Sequence, residues 1–153
     1  MNQKQLNAIN EIEVSYNHKI AAPFSKKIDT SEDAANLLFA HWNKNTIGLH
    51  ESFKVLLLNN SNKVKGIYQI SQGGITGTMV DIRILFAVIL KTLSVSVILV
   101  HNHPSGNLVA GSADRAITKK IQKASKLFDV KVLDHILLAP DGDYYSFSDN
   151  HIL

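Results

Sequence analysis

Two histidines separated by a single residue, His101-Asn102-His103, follow the apolar run Val95–Val100. In an extended chain, positions i and i+2 project to the same side, so both imidazoles can reach one point. Asp114 lies eleven positions beyond His103, across a polar, Gly-containing loop from Pro104 to Gly111. A loop of that length can fold the start of the next helix back over the strand end. The three side chains then offer two neutral nitrogens and one carboxylate, and no fourth protein ligand is evident. Three N/O ligands around an open corner make the catalytic type of zinc site, in which the corner holds a water whose pKa falls towards ~7.

Such a site usually needs a general base that is not itself a ligand. The glutamates are Glu11, Glu13, Glu32 and Glu51, with none further along. Glu51 opens a core strand and can stand beside the strand end that presents His101, so it is read as the proton shuttle. The competing reading is a surface carboxylate at a strand start. The remaining histidines add no ligand spacing. His18, His41, His50 and His151 are scattered, and His135, which follows Asp134 in a strand, reads as a satisfied internal histidine rather than as support for a ligand.

The elements that must position these residues follow from periodicity. Glu11–Tyr16 alternates as a half-buried strand or an arm reaching a partner, and Pro23 breaks it off. Thr30 or Ser31 caps a helix running to about Asn43. Glu51–Leu58 and Val64–Ile70 form a hairpin around Asn59–Asn62. A helix spans about Asp81–Leu93, and Val95–Val100 has the continuous β-branched pattern of a central strand covered on both faces. Ser112–Phe128 is an amphipathic helix whose apolar set is Ala113, Ile117, Ile121, Ala124 and Phe128. Strands at Val130–Leu138 and Tyr144–Phe147 close the chain, with a turn at Asp141–Asp143. The alternation specifies one α/β domain, a three-layer α/β/α sandwich with a mixed sheet over 31–153, preceded by an N-terminal extension over 1–30.

Composition narrows the chemistry. The chain has 153 residues, seven histidines and no cysteine. Disulfides, thiolate zinc fingers, iron–sulfur clusters and cysteine nucleophiles are thereby excluded. A formal charge of +3 does not by itself imply nucleic-acid binding, which rests on a clustered patch. Met1–Asn10 is polar, and Ile84–Val100 is interrupted by Lys91, Thr92, Ser94 and Ser96, so the expectation is a cytoplasmic protein without membrane association.

The run H-N-H-P-S-G at 101–106 followed by Asp114 resembles the JAMM (MPN+/JAB) metalloprotease motif E…H-x-H-P…D, and its HNHPSG form is similar to the bacterial RadC-like family. The resemblance extends from about Ser31 to the C-terminus and takes in Gly77-Thr78, Asp134-His135 and Tyr145-Ser146-Phe147. It implies a deaminase-like α/β/α sandwich. It also implies Zn2+ held by His101, His103 and Asp114, with Glu51 as the family's upstream glutamate. The chain departs from the pattern twice. The family has an oxyanion-holding serine three residues before the ligand aspartate, whereas this chain has Gly111 there and a serine one place late, Ser112. Ser112 reads as the helix cap rather than as the oxyanion donor. Longer RadC-like proteins also carry a helix-hairpin-helix module, which residues 1–30 do not supply.

The expected activity is that of a zinc-dependent hydrolase cleaving a peptide or isopeptide bond in a protein substrate. The alternative is a nucleic-acid-associated accessory protein, acting in DNA repair or mobile-element maintenance with a structural or weakly active metal site, or a metal-dependent nuclease. That alternative draws on the cations Arg115, Lys119, Lys123 and Lys126, which also read as the solvated face of a helix. Self-association through the alternating Glu11–Tyr16 strand is a further expectation.

Overall fold

A computed structural model of the chain describes residues 25–74 and 78–153. The strand read at Glu11–Tyr16, the 1–30 extension up to residue 24, and Gly77 lie outside the described residues. Helix α1 spans Ser31–His41 and begins at Thr30, whose hydroxyl accepts the Asp33 N–H at 3.1 Å while Asp33 Oδ2 accepts the Thr30 N–H at 3.2 Å. That reciprocal capping box leaves Ser31 free to donate to Asp149 Oδ1 instead. The helix ends two residues before Asn43 because Trp42 turns to an extended conformation (ψ 141°).

Strands β1 (Ser52–Leu58) and β2 (Val64–Gln72) form the hairpin, helix α2 covers Ile82–Lys91, and β3 covers Ser96–Asn102. Helix α3 (Ser112–Ser125) continues as a 3-10 turn to Phe128, and β4 (Lys131–Leu138) and β5 (Tyr144–Ser146) follow. The sheet order is β2-β1-β3-β4-β5; only the β3–β4 pairing is parallel, and α3 is its crossover. All of β3 is buried, as a central strand requires.

The pleat sorts side chains into two cores. Leu56, Leu58, Ile98, Val100, Ile136 and Leu138 pack with Ala34, Ala35, Leu38 and Trp42 around α1. Val55, Leu57, Val97 and Leu99 pack on the other face with Leu85, Phe86, Ile89 and Ile121 of α2 and α3. Each fully buried Leu or Ile is worth roughly 1.5–3 kcal/mol, so both layers are needed to hold the sheet. The architecture is the expected α/β/α sandwich. Of the apolar set expected on α3, Ile121 is buried and Ile117 and Ala124 pack against the core, but Ala113 is exposed and Phe128 is 48% exposed. Thr118 and Ser125 are buried beside Ile121. No helix among the described residues is long and apolar enough to cross a membrane.

Candidate metal centre

His101 continues the odd-numbered side of β3, the face that carries Leu99, and sits opposite Phe53 of β1 in the register. The strand pairing runs one residue further, since the His103 N–H donates to Leu138 O at 2.9 Å. A turn follows, with the Gly106 N–H bonded to His103 O and Gly106 at φ 75°, a conformation that favours glycine. It brings the Asn107 carbonyl to 2.5 Å from His103 Nδ1. Ala110 is then pinned with Leu137 and Phe147, which brings the start of α3 back over the strand end.

The first turn of that helix supplies Asp114. Its Oδ1 is 3.1 Å from His101 Nε2, its Oδ2 is 3.8 Å from His103 Nε2, and the two Nε2 atoms are 2.9 Å apart. All three donor atoms lie within 4.8 Å of one another, so His101, His103 and Asp114 form a group that can hold a metal ion. The His101 side chain is sealed, whereas those of His103 and Asp114 are 14% and 19% exposed, so solvent reaches the group from their side.

The donor chemistry fits a cation. A peptide carbonyl only accepts, so the bond to Asn107 O puts the proton of neutral His103 on Nδ1 and the lone pair of Nε2 towards the group. That lone pair meets another imidazole nitrogen and a carboxylate, an arrangement that repels itself until something positive lies between them. Burial pushes the Asp114 carboxyl up. When the two rings carry an extra proton, the hydrogen bond from His101, its charge, the Gly111 N–H and the charge of His103 outweigh burial and carry it down to about 2; with both rings neutral, the Gly111 N–H still favours the carboxylate. Asp114 is therefore ionised at neutral pH.

Glu51 stands immediately before β1, two residues ahead of Phe53, and is half-buried. It is not one of the group whose donor atoms lie within 4.8 Å of one another. Its position is fixed from both sides by Asn102. That fully buried amide donates to Ile47 O (2.6 Å) and His50 O (2.8 Å) and accepts the Ser52 N–H (2.7 Å). The residue between the two histidines thus points to the opposite face of the sheet and grips the peptide units on either side of Glu51.

Ser112 is not the cap. Gly111 is the N-cap of α3 and Ser112 is its exposed first residue. Asp114 Oδ2 accepts the Gly111 N–H at 2.7 Å, which draws the helix start back by one position. The reading of His135 also changes. Fully buried, it lies with Nε2 2.8 Å from His101 Nδ1 and Nδ1 2.6 Å from Thr118 Oγ1. Burial and then the neighbouring His101 hold its imidazole well below the ordinary value of 6.5, against the pull of Asp114. Thr118, which completes this contact, had no signal in the apolar periodicity; only its four-residue spacing from Asp114 pointed to it.

A three-layer sandwich whose central strand ends in this His-His-Asp group matches one domain family. Residues 28–152 match the RadC-like JAB domain, and the chain belongs to that family. It is 47% identical over 129 residues to a UPF0758 protein of Flavobacterium johnsoniae, covering 83% of this chain and 54% of that protein. A UPF0758 protein of Porphyromonas gingivalis is 37% identical over 103 residues (67% and 45%), and one of Alkaliphilus metalliredigens is 36% identical over 127 (83% and 53%). The chain thus spans about half the length of the curated relatives it matches.

Proposed function

We propose that the chain is a zinc-dependent hydrolase that cleaves a peptide or isopeptide bond with metal-activated water. The observation that carries this reading is the convergence of two imidazole nitrogens and an ionised carboxylate, with no thiolate, at a strand end reached by solvent. Two nitrogens and one oxygen suit zinc better than calcium or magnesium, which prefer all-oxygen sites. His101, His103 and Asp114 would hold the ion, and zinc bound there would lower the pKa of a water towards ~7 and polarise a carbonyl oxygen. Glu51, fixed at the start of β1 by the bonds of Asn102 to its neighbours, takes the proton of the attacking water and returns it to the leaving amine.

The test is zinc per chain, measured for wild type and for His103→Ala, together with hydrolysis of peptide and isopeptide-linked substrates by Glu51→Gln. Expected are one zinc in wild type, loss of it in His103→Ala, and retained zinc with lost turnover in Glu51→Gln. Equal zinc in His103→Ala removes the site, and full activity in Glu51→Gln removes Glu51 from its role.

A second reading, association with nucleic acid, is favoured by the face of α3. Arg115, Lys119 and Lys123 of α3, and Lys126 of the 3-10 turn that follows, are all exposed. Four-residue spacing sets the first three about 6 Å apart in one row along the helix, a cationic row that phosphates can meet. Affinity for DNA that falls steeply with salt supports it, and absence of binding at low salt dismisses it.

A further inference from the structure

Three hydrogen bonds link His101 to Asp114 through the interior. His101 Nδ1 is 2.8 Å from His135 Nε2, His135 Nδ1 is 2.6 Å from Thr118 Oγ1, and Thr118 Oγ1 is 2.6 Å from the main-chain carbonyl of Asp114. The direction of every bond follows from the last one. A peptide carbonyl only accepts, so the single hydroxyl proton of Thr118 points at Asp114 O. The hydroxyl oxygen then accepts from His135, whose proton must sit on Nδ1. His135 is at 0% exposure, with Phe53 and Phe147 against its ring and, among the described residues, no carboxylate bonded to that ring, and an uncompensated charge there is costly. The ring is neutral and its Nε2 is an acceptor. His101 therefore donates from Nδ1 and turns the lone pair of Nε2 towards Asp114 and His103.

We infer that Thr118 and His135 are positioning residues that set the tautomer of His101, so that helix α3 orients a ligand on strand β3 through a residue of β4. The inference rests on the metal-centre reading above. It assigns a role to two residues that touch neither the group's donor atoms nor any substrate. It also ties the two ligands together, since the hydroxyl that orders His101 is held by the backbone of Asp114, one helical turn away.

The experiment has two readouts besides activity. Long-range 1H–15N NMR of the metal-free chain reports which nitrogen of His135 bears its proton, and competition titration gives the zinc affinity. Expected are a proton on Nδ1 of His135 in wild type, a ~10–100-fold loss of zinc affinity in the near-isosteric Thr118→Val, and recovery in Thr118→Ser, which restores the hydroxyl. Should Thr118→Val not fold, Thr118→Ala makes the same comparison. A proton on Nε2 of His135, or wild-type zinc affinity in the hydroxyl-free variant, overturns the inference. A wild-type chain that takes up no zinc sinks the metal-centre reading instead, and the His135 spectrum still decides the tautomer on its own.

Discussion

Asn102→Ala removes one side chain and three hydrogen bonds. The bond partners are Ile47 O, His50 O and the Ser52 N–H, and Asn102 is at 0% exposure. The Ile47 and Ser52 bonds are dry, whereas the His50 bond is partly buried and its carbonyl can turn to water. A buried polar group left unpaired costs ~1–3 kcal/mol, so the two dry groups at roughly 1.5 each and His50 O at less than ~1 sum to about 3–4 kcal/mol. That is a large share of the ~5–15 kcal/mol of a typical domain. The assay is equilibrium unfolding in urea followed by the fluorescence of Trp42, the single tryptophan and a buried one against the α1 face of the sheet. The midpoint should fall at unchanged slope. Asn102→Asp should be no milder. It keeps an acceptor for Ser52 but sets a carboxylate oxygen against two carbonyls. A loss below ~1 kcal/mol in Asn102→Ala would show that water replaces the amide freely, and the claim that this residue fixes the start of β1 would fall.

Three further outcomes follow from the same structure. His135, depressed well below 6.5 in the fold, binds a proton more readily when unfolded, so stability is complete above pH 6.5 and is lost as pH falls below it. Urea midpoints should fall as the pH is lowered from 6.5 to 5.5, and a midpoint that rises on acidification would contradict the sign. Gly111→Ser puts a Cβ 3.2 Å from Asp114 Oδ2, close enough that the carboxylate must shift slightly but not leave. Zinc stoichiometry should hold while hydrolysis gains up to ~10²–10³-fold from the added donor, and unchanged turnover would show that the hydroxyl does not reach the substrate. Thr30→Ala should cost ~1 kcal/mol by breaking the capping box of α1, measured by thermal unfolding; an unchanged midpoint would mean that the rest of α1's packing sets its stability.

The convergence of His101, His103 and Asp114 was legible because each of them obeys a local rule. His101 and His103 share a face through the strand period, and Asp114 falls in a first helical turn. The polar residues that hold the group were not legible, because their burial is decided by partners far along the chain. Thr118 meets His135 across 17 positions, and Asn102 meets Ile47 across 55. Apolar periodicity scores both as surface residues. Ser112 misled for a local reason: a serine beside a helix start is a good cap, but Asp114 had already claimed the Gly111 N–H. The fold class came through intact because β3 is hydrophobic on both faces and can only be central.

The alternation at 101–103 makes the centre sensitive to strand register. Two imidazoles face one side of the sheet, while the amide between them fastens the other. Sliding β3 by one residue against its neighbours would exchange the faces, aiming both imidazoles at the α1 core and the amide at the α2–α3 side. No intermediate pairing keeps either half of this arrangement. The chain therefore acquires a metal-competent strand end only when the central sheet has locked into its final alignment, and metal uptake during refolding should report that locking step rather than early collapse.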